Sequence, residues 1–171
     1  DWSPDGATIV FASDRGPETD FDRLVYSEFR LSFLDVTSGK VHTPEIFGNV
    51  RHSSPQYAPD GSVYFLSDPD GFSDIYQYQD MTVRRVTRTA TGVSGHTSMA
   101  PALSVADKTG ELAFTVFSDF EFHIVTLPAT PTTTLAAAPT SEEKGARLLP
   151  PSNPDRFTRV GEYLADATTG L

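Results

Sequence analysis

The phrase Trp2-Ser3-Pro4-Asp5-Gly6 returns as Tyr57-Ala58-Pro59-Asp60-Gly61, and the chain does the same things in the same order after each copy. The first copy leads into the apolar run Thr8-Ile9-Val10-Phe11-Ala12, closed by Ser13-Asp14. The second leads into Ser62-Val63-Tyr64-Phe65-Leu66, closed by Ser67-Asp68. A worn third copy reads Ala106-Asp107-Lys108-Thr109-Gly110, then Leu112-Ala113-Phe114-Thr115-Val116-Phe117, closed by Ser118-Asp119. Turn glycines stand at 6, 61 and 110, at intervals of 55 and 49 residues. A repeat of that length means one supersecondary unit used several times, each burying its apolar surface against the next.

The middle unit shows what the supersecondary unit is. Pro55-Gln56-Tyr57 enters as a short strand, and Ala58 to Gly61 turn the chain. Proline presets φ, aspartate bonds its own backbone, and glycine accepts the positive φ. Val63 to Leu66 is β-branched and aromatic without charge, as a strand covered on both faces would be. Asp68-Pro69-Asp70-Gly71 turns again, Asp74 to Tyr78 alternates apolar and polar, and Asp80-Met81 connects tightly to Val83-Arg84-Arg85-Val86-Thr87. Arg84 and Arg85 are expected on an exposed outer edge, where charge discourages edge pairing. Four short antiparallel strands per repeat make one propeller blade. The expected fold is all-β, a partial β-propeller of about three four-stranded antiparallel blades at 1–47, 53–87 and 99–127. The first unit carries an insertion, Gly16 to Arg23, and the third shows three strands. Trp2, Tyr57, Phe65, Tyr76 and Phe114 are expected between the blades.

Beyond residue 127 the pattern stops. Residues 128–156 are rich in Pro, Ala, Thr and Ser and read as a linker, in a mostly irregular C-terminal tail. In 157–171, Phe157, Val160, Tyr163 and Leu164 are spaced for one face of a short helix. The chain begins inside a blade and ends abruptly at Leu171, so it reads as a piece of something longer. Its 13 basic and 23 acidic residues leave a net charge of −10, which argues against nucleic acid as a partner. There is no cysteine, hence no disulfide, and no stretch long and apolar enough to span a bilayer as a helix.

Proline, a gap, Trp-Ser-Pro-Asp-Gly, an apolar strand, Ser-Asp, a Gly-containing turn and then Ile75-Tyr76 resemble the repeats of TolB-like propellers. The match is close over Trp2–Asp14 and Pro55–Tyr78, and loose over Pro101–Leu127, where Leu103-Ser104-Val105 replaces Trp-Ser-Pro. The resemblance implies a six-bladed parent architecture. It also implies a non-catalytic scaffold that binds a protein or peptide, within a periplasmic or envelope-associated bacterial protein. Similar propellers also stand beside peptidase domains, so an accessory propeller of a hydrolase is the alternative. The third unit and tail resemble a segment of large bacterial surface proteins in which a propeller precedes an outer-membrane barrel. Three blades leave raw edges, and a homodimer would complete a six-bladed ring.

Enzyme signatures are thin. Gly92-Val93-Ser94-Gly95-His96 lacks the spacing of a nucleophile elbow, and there is no zinc-protease helix motif, phosphate loop or dinucleotide fingerprint. No catalytic residue and no cofactor are expected. Asp68, Asp70 and Asp74 could place oxygens around calcium. Because Ser13-Asp14 and Ser118-Asp119 occupy the same place, a repeated turn device is the preferred reading. Arg51-His52 and His96 precede Pro55 and Pro101 in equivalent connections between blades. Such connections converge on the mouth of a propeller channel, so Arg51, His52 and His96 are the candidate contact residues. Hydrogen bonding to neighbouring loops is the simpler reading for all three and the preferred one. The insertion, with Asp20, Phe21 and Asp22, is a second candidate surface.

Overall fold

Each repeat turn is closed by its glycine N–H, over three residues in the first two and over four in the third. Gly6 N–H donates to Ser3 O at 2.9 Å, Gly61 N–H to Ala58 O at 2.9 Å, and Gly110 N–H to Ala106 O at 2.8 Å. The three glycines have φ of 70°, 82° and 69°, in the region that side chains disfavour, which is why this residue recurs. Residues 1–95 and 101–129 are described by the computed structural model. His96, the linker from 130 onward and the segment 157–171 lie outside the described residues.

These turns organise ten strands: β1 (Thr8–Ser13), β2 (Arg30–Asp35), β3 (Val41–His42), β4 (His52–Tyr57), β5 (Val63–Ser67), β6 (Asp74–Gln79), β7 (Thr82–Arg85), β8 (Leu103–Val105), β9 (Leu112–Ser118) and β10 (Glu121–Leu127). They pair antiparallel in sequence order as three sheets, β1-β2-β3, β4-β5-β6-β7 and β8-β9-β10. In the first sheet an isolated bridge, Trp2 to Ile9, takes the place of a full inner strand. Asp80-Met81 and Asp119-Phe120 make tight hairpins in which both central residues have positive φ, the hand that matches strand twist.

The sheets stack face to face. Val10 and Leu31 of the first sheet, with Ile46, pack on Val63, Phe65 and Tyr76 of the second. Tyr64, Leu66 and Ile75 of the second pack on Leu103, Val105, Leu112 and Phe114 of the third. Successive residues of β5 therefore face opposite neighbours, and all five are buried, as its uncharged sequence predicts. Each such large side chain contributes about 1.5–3 kcal/mol on full burial.

A polar device repeats between blades as well. Asp1 Oδ2 accepts from Tyr57 N–H at 2.8 Å. Gln56, the repeat equivalent of Asp1, accepts at Oε1 from Val105 N–H at 2.7 Å and donates from Nε2 to Leu103 O at 3.1 Å.

Two expectations need correction. Trp2 is 56% exposed rather than packed between blades, because it lies on the face of the first sheet that points away from the second. Arg85 is turned inward, its side chain 12% exposed, because two aspartates meet it there; Arg84 is exposed as expected.

Candidate functional site

Antiparallel order within stacked sheets sends all the Ser-Asp strand ends, and all the connections between blades, to one end of the arc. There lie residues 14–29, 43–51, 68–73, 86–95 and 119–120. At this end a cleft of about 280 Å³ opens between the second and third sheets. Arg51, Ser53 and Ser54 line it from the start of β4, Asp68 and Ser73 from the β5–β6 turn, and Ser94 from the connection to the third sheet. Leu66, Val93 and Ala102 supply its apolar part.

Local backbone features shape this cleft. The β4–β5 register shifts between Ser53 and Gln56, so one extra β4 residue bulges from the ladder. Ser54 sits in the bulge with φ of 51°, uncommon for a residue with a side chain. Gly92 lies against the β5–β6 turn: a Cβ there would stand 3.2 Å from both N and O of Ser73. The connection to the third sheet can therefore lie directly on Ser73, with Val93 N–H donating to Ser73 O.

Arg51 is exposed at the cleft and makes no hydrogen bond or ion pair among the described residues. His52, next in sequence, points the other way and is buried at 1% exposure. Its Nε2–H donates to Ile46 O at 3.1 Å, and its Nδ1 accepts from Ser67 Oγ–H at 2.9 Å. Its ring also stacks edge-on with Phe47 and Phe65. Burial lowers its pKa, against the opposing pull of the Ile46 carbonyl, so the neutral tautomer is the stable one. His52 thus clamps the first connection to the second sheet, and Arg51 alone of that pair opens onto the cleft.

Asp70 and Asp74 come together, but around a protein cation. Arg85 donates from Nη1 to Asp70 Oδ2 at 2.6 Å and from Nη2 to Asp74 Oδ2 at 2.5 Å. Asp74 is fully buried, and its Oδ1 accepts from Thr87 Oγ1 at 2.8 Å and Thr89 N–H at 3.0 Å. The guanidinium fills the space between the two carboxylates. Among the described residues no three acidic or histidine side chains group as metal ligands. Asp68 stays outside this network and faces the cleft.

The insertion projects from the same end as a small hairpin. Asp20 and Val25 exchange both backbone hydrogen bonds at 2.9 Å. Leu24 takes a positive φ of 56°. Phe21 meets Tyr26 edge-on at 6.2 Å, and the Arg15 guanidinium lies 4.7 Å from the Phe21 ring. Leu24 is 72% exposed, with Phe21, Val25, Tyr26 and Phe29 also open to solvent. The hairpin is tied to the scaffold because Phe29 O accepts from His52 N–H at 2.7 Å. Sequence reasoning singled out Phe21, and met Ser73 only within the Asp68–Asp74 turn and Ser94 only within a rejected nucleophile-elbow match; it passed over Leu24 and Tyr26, and over Ser53 and Ser54. The only sequence signal for those serines is their position beside connections already singled out.

Three stacked antiparallel sheets with repeated turns define a partial β-propeller. Its fold is TolB-like. The chain is similar to TolB from Acinetobacter baumannii, with a TM-score of 0.56 and 18% identity over 75% of this chain and 29% of that one. It is also similar to a putative TolB from Agrobacterium tumefaciens, with a TM-score of 0.56 and 24% identity over 74% of this chain and 43% of that one. The chain therefore spans less than half the length of either structure. No protein-family model and no curated protein sequence matches it.

Proposed function

We propose that this chain is a non-catalytic binding scaffold of a bacterial envelope protein, and that it engages a protein partner with the Ser-Asp end of its blades. The observation that carries this reading is the hairpin at 20–25. It presents Phe21, Leu24 and Tyr26 to solvent at the same end of the blades as the cleft, on a sheet scaffold. Exposed aromatic and aliphatic side chains held on an ordered turn are costly in water and suit a partner's apolar surface. A photo-crosslinking residue at position 24, with a control at 108 on the opposite end, tests this in an envelope fraction. The expected result is a discrete adduct from position 24 alone, abolished by Phe21→Ser with Tyr26→Ser. Equal adducts from both positions, or none from 24, would refute it.

In the same reading a second copy of the chain covers the two open sheet faces. Ile9 and Phe11 are the repeat equivalents of Val63 and Phe65, which are 1% and 0% exposed against the first sheet. At the other end Phe117 and Ile124 share the outer face of the third sheet, and Ile124 is 79% exposed. A two-fold pair would lay each third sheet on the other copy's first sheet, continuing the stacking already seen within the chain. Light scattering should then give twice 18.6 kDa, and Ile124→Glu should return the monomer. A monomeric parent chain at tens of micromolar rules the pair out.

A further inference from the structure

We infer that the cleft between the second and third sheets binds a carboxylate carried on an extended peptide segment, with Arg51 as its ion-pair partner. This rests on the binding-scaffold reading above and gives it a ligand chemistry. The cleft is lined by more free donors than dedicated acceptors. The Arg51 guanidinium and the hydroxyls of Ser53, Ser54, Ser73 and Ser94 all line the cleft. None of these side chains hydrogen-bonds to another described residue. Ser67, the remaining hydroxyl, is committed to His52 Nδ1. Against these donors stands one acceptor side chain, Asp68. The guanidinium can only donate and each hydroxyl can donate, so a ligand that brings acceptors satisfies all of them. A guanidinium fork matches a carboxylate bidentately, and hydroxyls suit the carbonyls of an extended chain.

The remaining lining selects among anions. Leu66, Val93 and Ala102 offer an apolar surface to the methylenes of an acidic side chain, which an inorganic anion does not use. Asp68 repels a second negative charge, and so does the net charge of −10, so a dianion such as phosphate is disfavoured. Asp68 can instead accept a peptide N–H. β4 is an edge strand of its sheet, and its bulge at Ser54 lies in the cleft wall along which that chain would run.

The test is an NMR titration of the isotopically labelled chain in 0.15 M salt. The probes are acetyl-Gly-Ser-Glu-Gly-amide, its Gln counterpart and free glutarate. The Glu peptide should shift the amides of Ser53, Ser54 and Ser94, and the Gln peptide should bind at least about ten-fold more weakly. Arg51→Gln should cost a similar factor, whereas Arg84→Gln, at an exposed arginine on β7, should change nothing. Arg51 is exposed, so its replacement leaves the core intact, and the spectrum of the variant checks this directly. Equal binding of the Glu and Gln peptides, or an unaltered affinity in Arg51→Gln, overturns the inference. Glutarate binding as tightly as the Glu peptide overturns the peptide-borne form. If the adduct at position 24 forms while the Glu peptide fails to bind, this inference falls and the scaffold reading stands.

Discussion

Gln56 reaches across the second interface between blades and pairs with the backbone of Val105, 49 positions later, as if it were a strand residue. Its amide accepts from Val105 N–H and donates to Leu103 O, satisfying both groups of an inner strand that otherwise faces a side-chain interface. Asp1 does half of this for Tyr57. Gln56→Leu should therefore destabilise by about 2 kcal/mol, one net hydrogen bond lost at each end. Gln56→Glu keeps the bond to Val105 N–H but sets a carboxylate oxygen against Leu103 O, and should cost at least as much near neutral pH. Urea midpoints, at an unchanged slope, give both values.

Arg85 and Asp74 anchor a polar knot that joins β6, β7 and the connection that follows, with both Asp74 carboxylate oxygens engaged. Asp74→Ala takes the acceptor from Arg85 Nη2, Thr87 and Thr89 while Asp70 still holds Arg85 Nη1, and should cost about 3 kcal/mol. Because Arg85 stands where a cation would, the thermal midpoint of the parent chain should not move with calcium or chelator. A shift of several degrees with chelator would contradict that.

His52 couples stability to pH. Its folded-state pKa is lowered by burial, so below the unfolded value, about 6.5, the unfolded chain binds the proton more readily. Stability should therefore fall as pH drops from about 7 toward 5, by up to about 1.4 kcal/mol per unit, and level off below the depressed folded value. His52→Gln should reduce this slope while lowering stability at pH 7. Identical slopes in the two proteins would show that His52 does not carry the effect.

Tyr76 carries a buried hydroxyl with no hydrogen-bond partner among the described residues. Burial pushes its pKa far up, so it stays neutral. The ring earns its place in the core, and the oxygen does not. Tyr76→Phe should be neutral or stabilising by about 1 kcal/mol, since it removes an unsatisfied polar atom. A loss beyond that range would point to a bridging water.

The repeat, the strands and the turns were legible in the chain itself. Pro-Asp-Gly turns, two-residue positive-φ hairpins and period-two apolar patterns are local instructions, read within a few residues of where they act. They sufficed for an all-β stack of three units with β5 buried on both faces. What depended on side chains brought together across turns and connections was not legible. Arg85 looks like an edge charge until Asp70 and Asp74 fold beneath it, and His52 reads as either a tie between loops or a loop ligand until Ile46 and Ser67 take both its nitrogens. The cleft likewise needs Arg51, Ser73 and Ser94 from three separate connections. Local chemistry determines which strands form, because backbone dihedrals depend on near neighbours. Which side chains are left free to meet a ligand depends on the stacking of sheets, because only that assigns every other polar group its partner.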